Sequence, residues 1–68
     1  MPNILKLKGK LVEKGIGYEE FADILGIDSS TLYRRFKSNG ESFSVGEVNK
    51  IVKALDLESH EAAAIFFE

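Results

Sequence analysis

Apolar residues recur along this chain in short helical bursts, each stopped by glycine or by a polar cap. Ile4, Leu7 and Leu11 fall at i, i+3 and i+7, which predicts a helix over Asn3 to Lys14 with Lys6, Lys10, Glu13 and Lys14 on other faces. Gly15 and Gly17 stop it, and Ile16 between them is expected to point inward. Tyr18 to Leu25 is the second burst. Phe21, Ala22 and Leu25 form its apolar stripe, Glu19 and Glu20 complement the dipole of its first turn, and Gly26 ends it. Ser29 to Lys37 is the third, with Asp28 as N-cap, Ile27 as an apolar staple ahead of it, and Leu32 and Phe36 as an inward i, i+4 pair. Ser44 and Glu47 have the spacing of a capping box, with Phe43 as staple, and open a fourth helix whose inward residues are Val48, Ile51, Val52 and Leu55. Leu57 is expected to be buried in the next connector. A fifth helix runs from about Ser59 to Phe67, burying Ala62, Ile65 and Phe66. No segment alternates with period two long enough to predict a strand, so the chain reads as all-α, five short helices joined by tight turns.

Length then bounds the function. Sixty-eight residues make one domain, 1–68, and leave no room for a large multi-domain enzyme. A chain this short hides only about 60% of the surface it exposes when unfolded, so its core is thin. There is no cysteine, hence no disulfide, thiolate metal site or cysteine nucleophile, and a reducing compartment fits. The longest apolar run, Ala62 to Phe67, is far short of the ~20 residues that span a bilayer. MPNILKLKGK mixes lysines with apolar residues and lacks the apolar core of a signal peptide. No membrane association is expected.

The net charge of −2 argues against an anionic partner until its distribution is considered. Residues 1–40 carry seven Lys/Arg against five Asp/Glu, whereas residues 41–68 carry two Lys against six acids. From Asp28 to Gly40 there are three cations, Arg34, Arg35 and Lys37, against one acid. A phosphate responds to that local potential and not to the total.

Catalytic signals are scarce. His60 is the only histidine and sits among Glu58, Ser59 and Glu61, as a solvated helix-start residue would. Glu19, Glu20 and Asp23 read as a solvated, dipole-compensating face. The glycines match no phosphate loop, and Gly15-Ile16-Gly17 is a helix break. No enzyme activity, metal, cofactor or small-molecule ligand is expected.

The informative stretch is YEEFADILGIDSSTLYRRFKSNG, residues 18–40: a helix, a tight turn at Leu25-Gly26-Ile27, and a second helix, with the two-helix unit at about 18–37. Ala22 is small where the two helices cross. With Leu32 and Phe36 inward, Ser29, Ser30, Tyr33 and Arg34 project together, an arrangement suited to a helix whose N-terminal part enters a DNA major groove. Arg35 diverges from Arg34, so its stem is expected to cover the core with its head in solvent.

Here the chain resembles the phage-type Cro/CI-like (Xre-type) helix-turn-helix repressors, with their lambda-repressor-like fold. Such proteins typically read LxGKxxEKGxTxEExAxxLGISxSTLxRKLxG, and this chain reads LKGKLVEKGIGYEEFADILGIDSSTLYRRFKSNG. The likeness continues through Phe43, the box at Ser44–Glu47 and Ile65-Phe66-Phe67, covering residues 5 to 67. It implies that Ser29, Ser30 and Arg34 read bases. It implies that Tyr33 and Lys37 lie along the groove wall and phosphates, and that Tyr18 touches a phosphate. The loop Ser38-Asn39-Gly40, with Ser42 and Ser44, would meet the opposite phosphate ridge. There are two departures. Gly17 replaces the usual threonine cap, which should loosen the start of helix 2, and Asp28 replaces the usual serine, placing a negative charge on the DNA side.

The resemblance therefore implies a sequence-specific repressor in the cytoplasm of a bacterial host, binding a palindromic double-stranded operator as a homodimer, at least on DNA. Adjacent side chains on a helix diverge by about 100°, so Ile65, Phe66 and Phe67 cannot all enter one thin core. Ile65 and Phe67 are the expected dimer patch. The alternative is an antirepressor-like module that binds another regulator, a reading the acidic second half favours.

Overall fold

A computed structural model describes residues 2–67 and contains five helices and no strand among them. They are α1 (Ile4–Lys14), α2 (Tyr18–Leu25), α3 (Ser29–Lys37), α4 (Val45–Ala54) and α5 (Ser59–Phe66). Each lies where the apolar spacing places it, and the boundaries move by one residue at three ends; Leu55 is the C-cap of α4, which ends at Ala54. Asn3 is the N-cap of α1 and not its first residue: its extended backbone lets Oδ1 accept the Lys6 N–H at 3.1 Å. Phe67 is the C-cap of α5 and not its last residue, with φ at −129°.

Local chemistry sets where each helix stops. Gly26 is left-handed at φ 73°, and the Ile27 N–H then returns to the Ala22 carbonyl at 3.0 Å, closing the six-residue loop that ends α2. Asp56 makes the same turn after α4 at φ 51° without glycine, with the Leu57 N–H donating to the Val52 carbonyl. Ser44 and Glu47 form the full capping box: Ser44 Oγ accepts the Glu47 N–H at 3.0 Å, and Glu47 Oε1 accepts the Ser44 N–H at 2.9 Å. Gly17 caps α2 with no side-chain hydrogen bond, as its lack of a side chain requires.

Leu7, Phe21, Leu32, Ile51 and Leu55 are wholly enclosed, each from a helix or helix end that its neighbours cannot cover alone. Leu11, Ala22, Leu25, Phe36, Leu57, Ile65 and Phe66 complete the core. Burying one such aliphatic or aromatic side chain contributes about 1.5–3 kcal/mol. Ile4, Ile16, Ile27, Phe43, Val48, Val52 and Ala62 form its half-buried rim, so the staples and the outer residues of α4 cover the core and do not fill it. α2 packs against α3 and α4, and α1 packs against α5. The α1–α5 seam is tied by the Asn3 N–H to the Ile65 carbonyl and by Lys10, which pairs with both Glu13 and Glu61.

Ile65 is 2% exposed, which removes it from the expected dimer patch. It points into the α1 side of the core, so the residue left outside is Phe67, at 75% exposure. Among the described residues no helix is long and apolar enough to cross a membrane.

Candidate functional site

The residues that sequence reasoning singled out converge on α3 and the loop that follows it. Leu32 and Phe36 fix the inner face of this helix. Phe36 is the hub of an aromatic cluster: Phe21 stacks on it at 6.3 Å, and Tyr18 and Phe43 meet it edge-on at 5.7 and 6.4 Å. With that face fixed, the 100° step per residue places Ser30, Arg34 and Lys37 together on the opposite, exposed face, and Ser29 and Tyr33 on one flank. Tyr33 is 57% exposed, and its ring lies beneath the Lys37 ammonium at 5.6 Å.

The start of α3 is held by Asp28. Its Oδ1 accepts the Thr31 N–H and the Ser30 hydroxyl, both at 2.8 Å. These bonds, led by the Thr31 backbone N–H, lower its carboxyl from the ordinary 3.8 to about 2, so Asp28 is ionised at neutral pH. Ser30 has therefore committed its one proton. What it offers outward is the acceptor capacity of its oxygen. Arg34 makes one exposed bond, Nη2 to Thr31 Oγ1 at 3.1 Å, which leaves most of its guanidinium donors free.

Tyr18 is also partly spoken for. Its hydroxyl donates to the Ser29 carbonyl at 3.3 Å, joining the first residue of α2 to the first of α3. Burial, and then the nearby Tyr33, raise its pKa, so the phenol keeps its proton. An anion would have to displace this bond to receive that proton, which makes Tyr18 first a positioning residue for α3.

In the loop, the Ser38 hydroxyl donates to the Arg35 carbonyl at 2.8 Å, and with that proton spent the Ser42 hydroxyl donates to Ser38 Oγ at 2.9 Å. Asn39 is exposed with a left-handed backbone at φ 58°, followed by Gly40 at φ 76°. Ser44 is the α4 cap. The hydroxyls of Ser38, Ser42 and Ser44 thus shape the loop before they are available to a partner.

One expectation fails. The Arg35 head is not in solvent: Nε donates to Glu47 Oε1 at 3.3 Å and Nη2 to Oε2 at 3.1 Å, a bidentate pair linking α3 to α4. The two side chains are 26% and 13% exposed. The guanidinium holds the Glu47 carboxyl below its usual range against the opposing effect of burial. The basic charge on the free face of α3 is thereby reduced to Arg34 and Lys37. Sequence reasoning also passed over two lysines. Lys50 Nζ donates to the Leu25 carbonyl at 3.5 Å, at the negative end of α2, and Lys8 Nζ lies 5.5 Å from the centre of the Phe36 ring. Neither contact has a signal in local spacing, because each joins elements far apart in sequence.

An open groove of about 460 Å³ runs between the loop after α3, α4 and the end of α5. Val48, Val52, Ala62 and Phe66 line it, with the exposed side chains of Val45 and Phe67 at its edge. Among the described residues no group of three or more His, Cys, Asp or Glu is placed to hold a metal ion.

Comparison of the chain with protein-family models, with curated proteins and with solved structures gives no match.

Proposed function

We propose that the chain is a sequence-specific DNA-binding regulator of the Cro-like, lambda-repressor-like helix-turn-helix type, with α3 as the helix that enters the major groove. The observation that carries this reading is the division of α3 between a locked inner face, Leu32 and Phe36, and an outer face that offers Ser30, Arg34 and Lys37. A helix that reads bases must be held in place and must aim donors and acceptors outward, and the packing of Leu32 and Phe36 with the exposure of Ser30, Arg34 and Lys37 supports that reading. The sequence resemblance supports the same reading.

The roles follow from the hydrogen-bond inventory. Arg34 supplies a bidentate fork suited to guanine O6 and N7. Ser30, its proton held by Asp28, accepts from the amino group of adenine or cytosine. Lys37, and Tyr33 beneath it, face the phosphates. Asp28 is the counterweight: an ionised carboxylate beside the reading face weakens sequence-independent attraction, so a larger share of affinity must come from base contacts.

Pairing belongs to this reading. One such unit makes few base contacts, and two on a palindrome double them. The exposed Phe67 ring stands beside the apolar groove at Val45 and Val48, so a two-fold arrangement lets each ring enter the other copy's groove. A phenylalanine contributes about 150–250 Å². A stable interface needs about 800 Å² per partner, so this contact forms only when a second half-site holds the copies together. Phe67→Ser should leave the melting temperature unchanged and abolish cooperativity on a two-half-site duplex, read by titration and ultracentrifugation. Unchanged cooperativity would move the dimer contact elsewhere.

The experiment that tests the reading is selection of bound duplexes from a random pool. A palindromic consensus with a guanine near the centre of each half-site is expected. Absence of any enriched sequence would overturn it. The second reading, a module that binds another regulator, draws on the overall −2 charge and on ionised Asp28 at the start of α3. It predicts no salt-dependent binding to any duplex.

A further inference from the structure

We infer that Lys8, on α1, is a phosphate contact that extends the DNA footprint beyond the two-helix unit; the inference rests on the reading of α3 as the DNA-facing helix. Phe36 is surrounded by Phe21, Tyr18 and Phe43, and the Lys8 ammonium lies over its ring at 5.5 Å. Through that ring Lys8 is registered to the side chain that positions α3, and to Tyr18, whose hydroxyl holds the first carbonyl of the helix. The cation is fixed in place but not neutralised. An aromatic face attracts an ammonium without cancelling its charge, and no carboxylate of the described residues lies within ion-pair distance of Lys8.

The contrast is with Lys10 and Arg35. Lys10, two residues on, is engaged by Glu13 and Glu61, and Arg35 by Glu47. Lys37 repeats the Lys8 arrangement, an ammonium held over Tyr33. Lys10 and Arg35 are thus paired with acids, whereas Lys8 and Lys37 are held over rings belonging to α3 itself. A long, flexible lysine held this way loses less freedom on meeting a phosphate than a free one would. Its contact is with backbone and carries no sequence information.

The test uses Lys8→Met, which keeps the stem over Phe36 and removes the charge, and Lys8→Arg, which keeps the charge. Binding is measured from about 0.05 to 0.3 M salt on a duplex selected by the wild-type protein and on a mixed-sequence duplex. Each phosphate contact adds about 0.9 to the slope of log affinity against log salt. Lys8→Met should therefore lower that slope by about 0.9 on both duplexes and weaken binding about eightfold at 0.1 M salt. Its melting temperature and its selected consensus should match the wild type, and Lys8→Arg should restore the slope. A wild-type slope in Lys8→Met, or weaker binding that tracks a lower melting temperature, would make Lys8 a lid on Phe36 only. If the wild-type protein shows no salt-dependent binding to either duplex, the reading of α3 and this inference fall together, an outcome distinct from the loss of Lys8 alone.

Discussion

Glu47→Gln perturbs the joint between α3 and the rest of the core. Glu47 Oε1 accepts from both Ser44 N–H and Arg35 Nε, and Oε2 accepts from Arg35 Nη2. Glutamine keeps one acceptor and turns the other into an NH₂ that faces the guanidinium, donor against donor. Exposed ion pairs contribute about 0–1 kcal/mol, and breaking a buried one costs about 3–5 kcal/mol. Side chains 26% and 13% exposed stand between these cases, so a loss of about 1–2 kcal/mol is expected. For a domain of this size each kcal/mol moves the melting temperature by about 4–8 °C. A double-mutant cycle with Arg35→Met isolates the pair, and a coupling of about 1 kcal/mol is expected from chemical denaturation. The sign with pH is fixed too. The folded-state pKa of Glu47 is depressed, so its contribution is present above the ordinary glutamate range and is lost as pH falls through the folded value. The acid limb of the stability curve should be shallower in Glu47→Gln. A coupling below about 0.3 kcal/mol, within the usual additivity error, would refute the claim that Arg35 fixes α3 against α4.

Gly40→Ala should be strongly destabilising. The residue sits at φ 76°, and a Cβ there would lie 2.9 Å from Ile4 Cδ1 and 3.1 Å from Pro2 Cβ, adding a clash to a left-handed cost of about 1–2 kcal/mol; a melting temperature within 3 °C of wild type, roughly the effect of half a kcal/mol, would contradict the packing. Asp28→Asn keeps an equivalent cap and removes a group whose pKa falls from 3.8 to about 2, so it should flatten the loss of stability as pH drops from about 4 to 2 and tighten binding to mixed-sequence duplexes. An unchanged acid limb would mean that the Thr31 and Ser30 bonds do not favour the ionised form.

The order and ends of the five helices were legible because their signals are local. Gly15 and Gly26 each supply a left-handed stop, Asp28 and Ser44 supply caps, and the apolar spacing gives the inward faces. Asp56 shows the limit: it adopts the same left-handed turn, and an aspartate announces that less clearly than a glycine. The face of α3 was legible for the same reason, since fixing Leu32 and Phe36 decides where Ser30 and Arg34 point. The state of its polar groups was not. Arg35 finds Glu47 twelve residues away, Lys8 finds Phe36 from another helix, and the Tyr18 hydroxyl finds a carbonyl of α3. Those partners are set by how helices pack, and no spacing rule within one helix contains them. Ile65 illustrates the converse. Three adjacent apolar residues showed that they cannot all be buried, which left Ile65 and Phe67 as the expected patch, and only the packing of α5 on α1 takes Ile65 into the core and leaves Phe67 outside.

The central claim is that the exposed face of α3 reads DNA sequence, and Arg34→Ala tests it most directly. Arg34 is exposed and makes one bond, to Thr31, so its removal should leave the thermal melt unchanged. Site selection repeated with this variant should lose preference at one base position in each half-site, with binding to the wild-type site weakened by about 1–3 kcal/mol. The same consensus selected at the same affinity, or a collapse of the melt with specificity intact, would contradict the account.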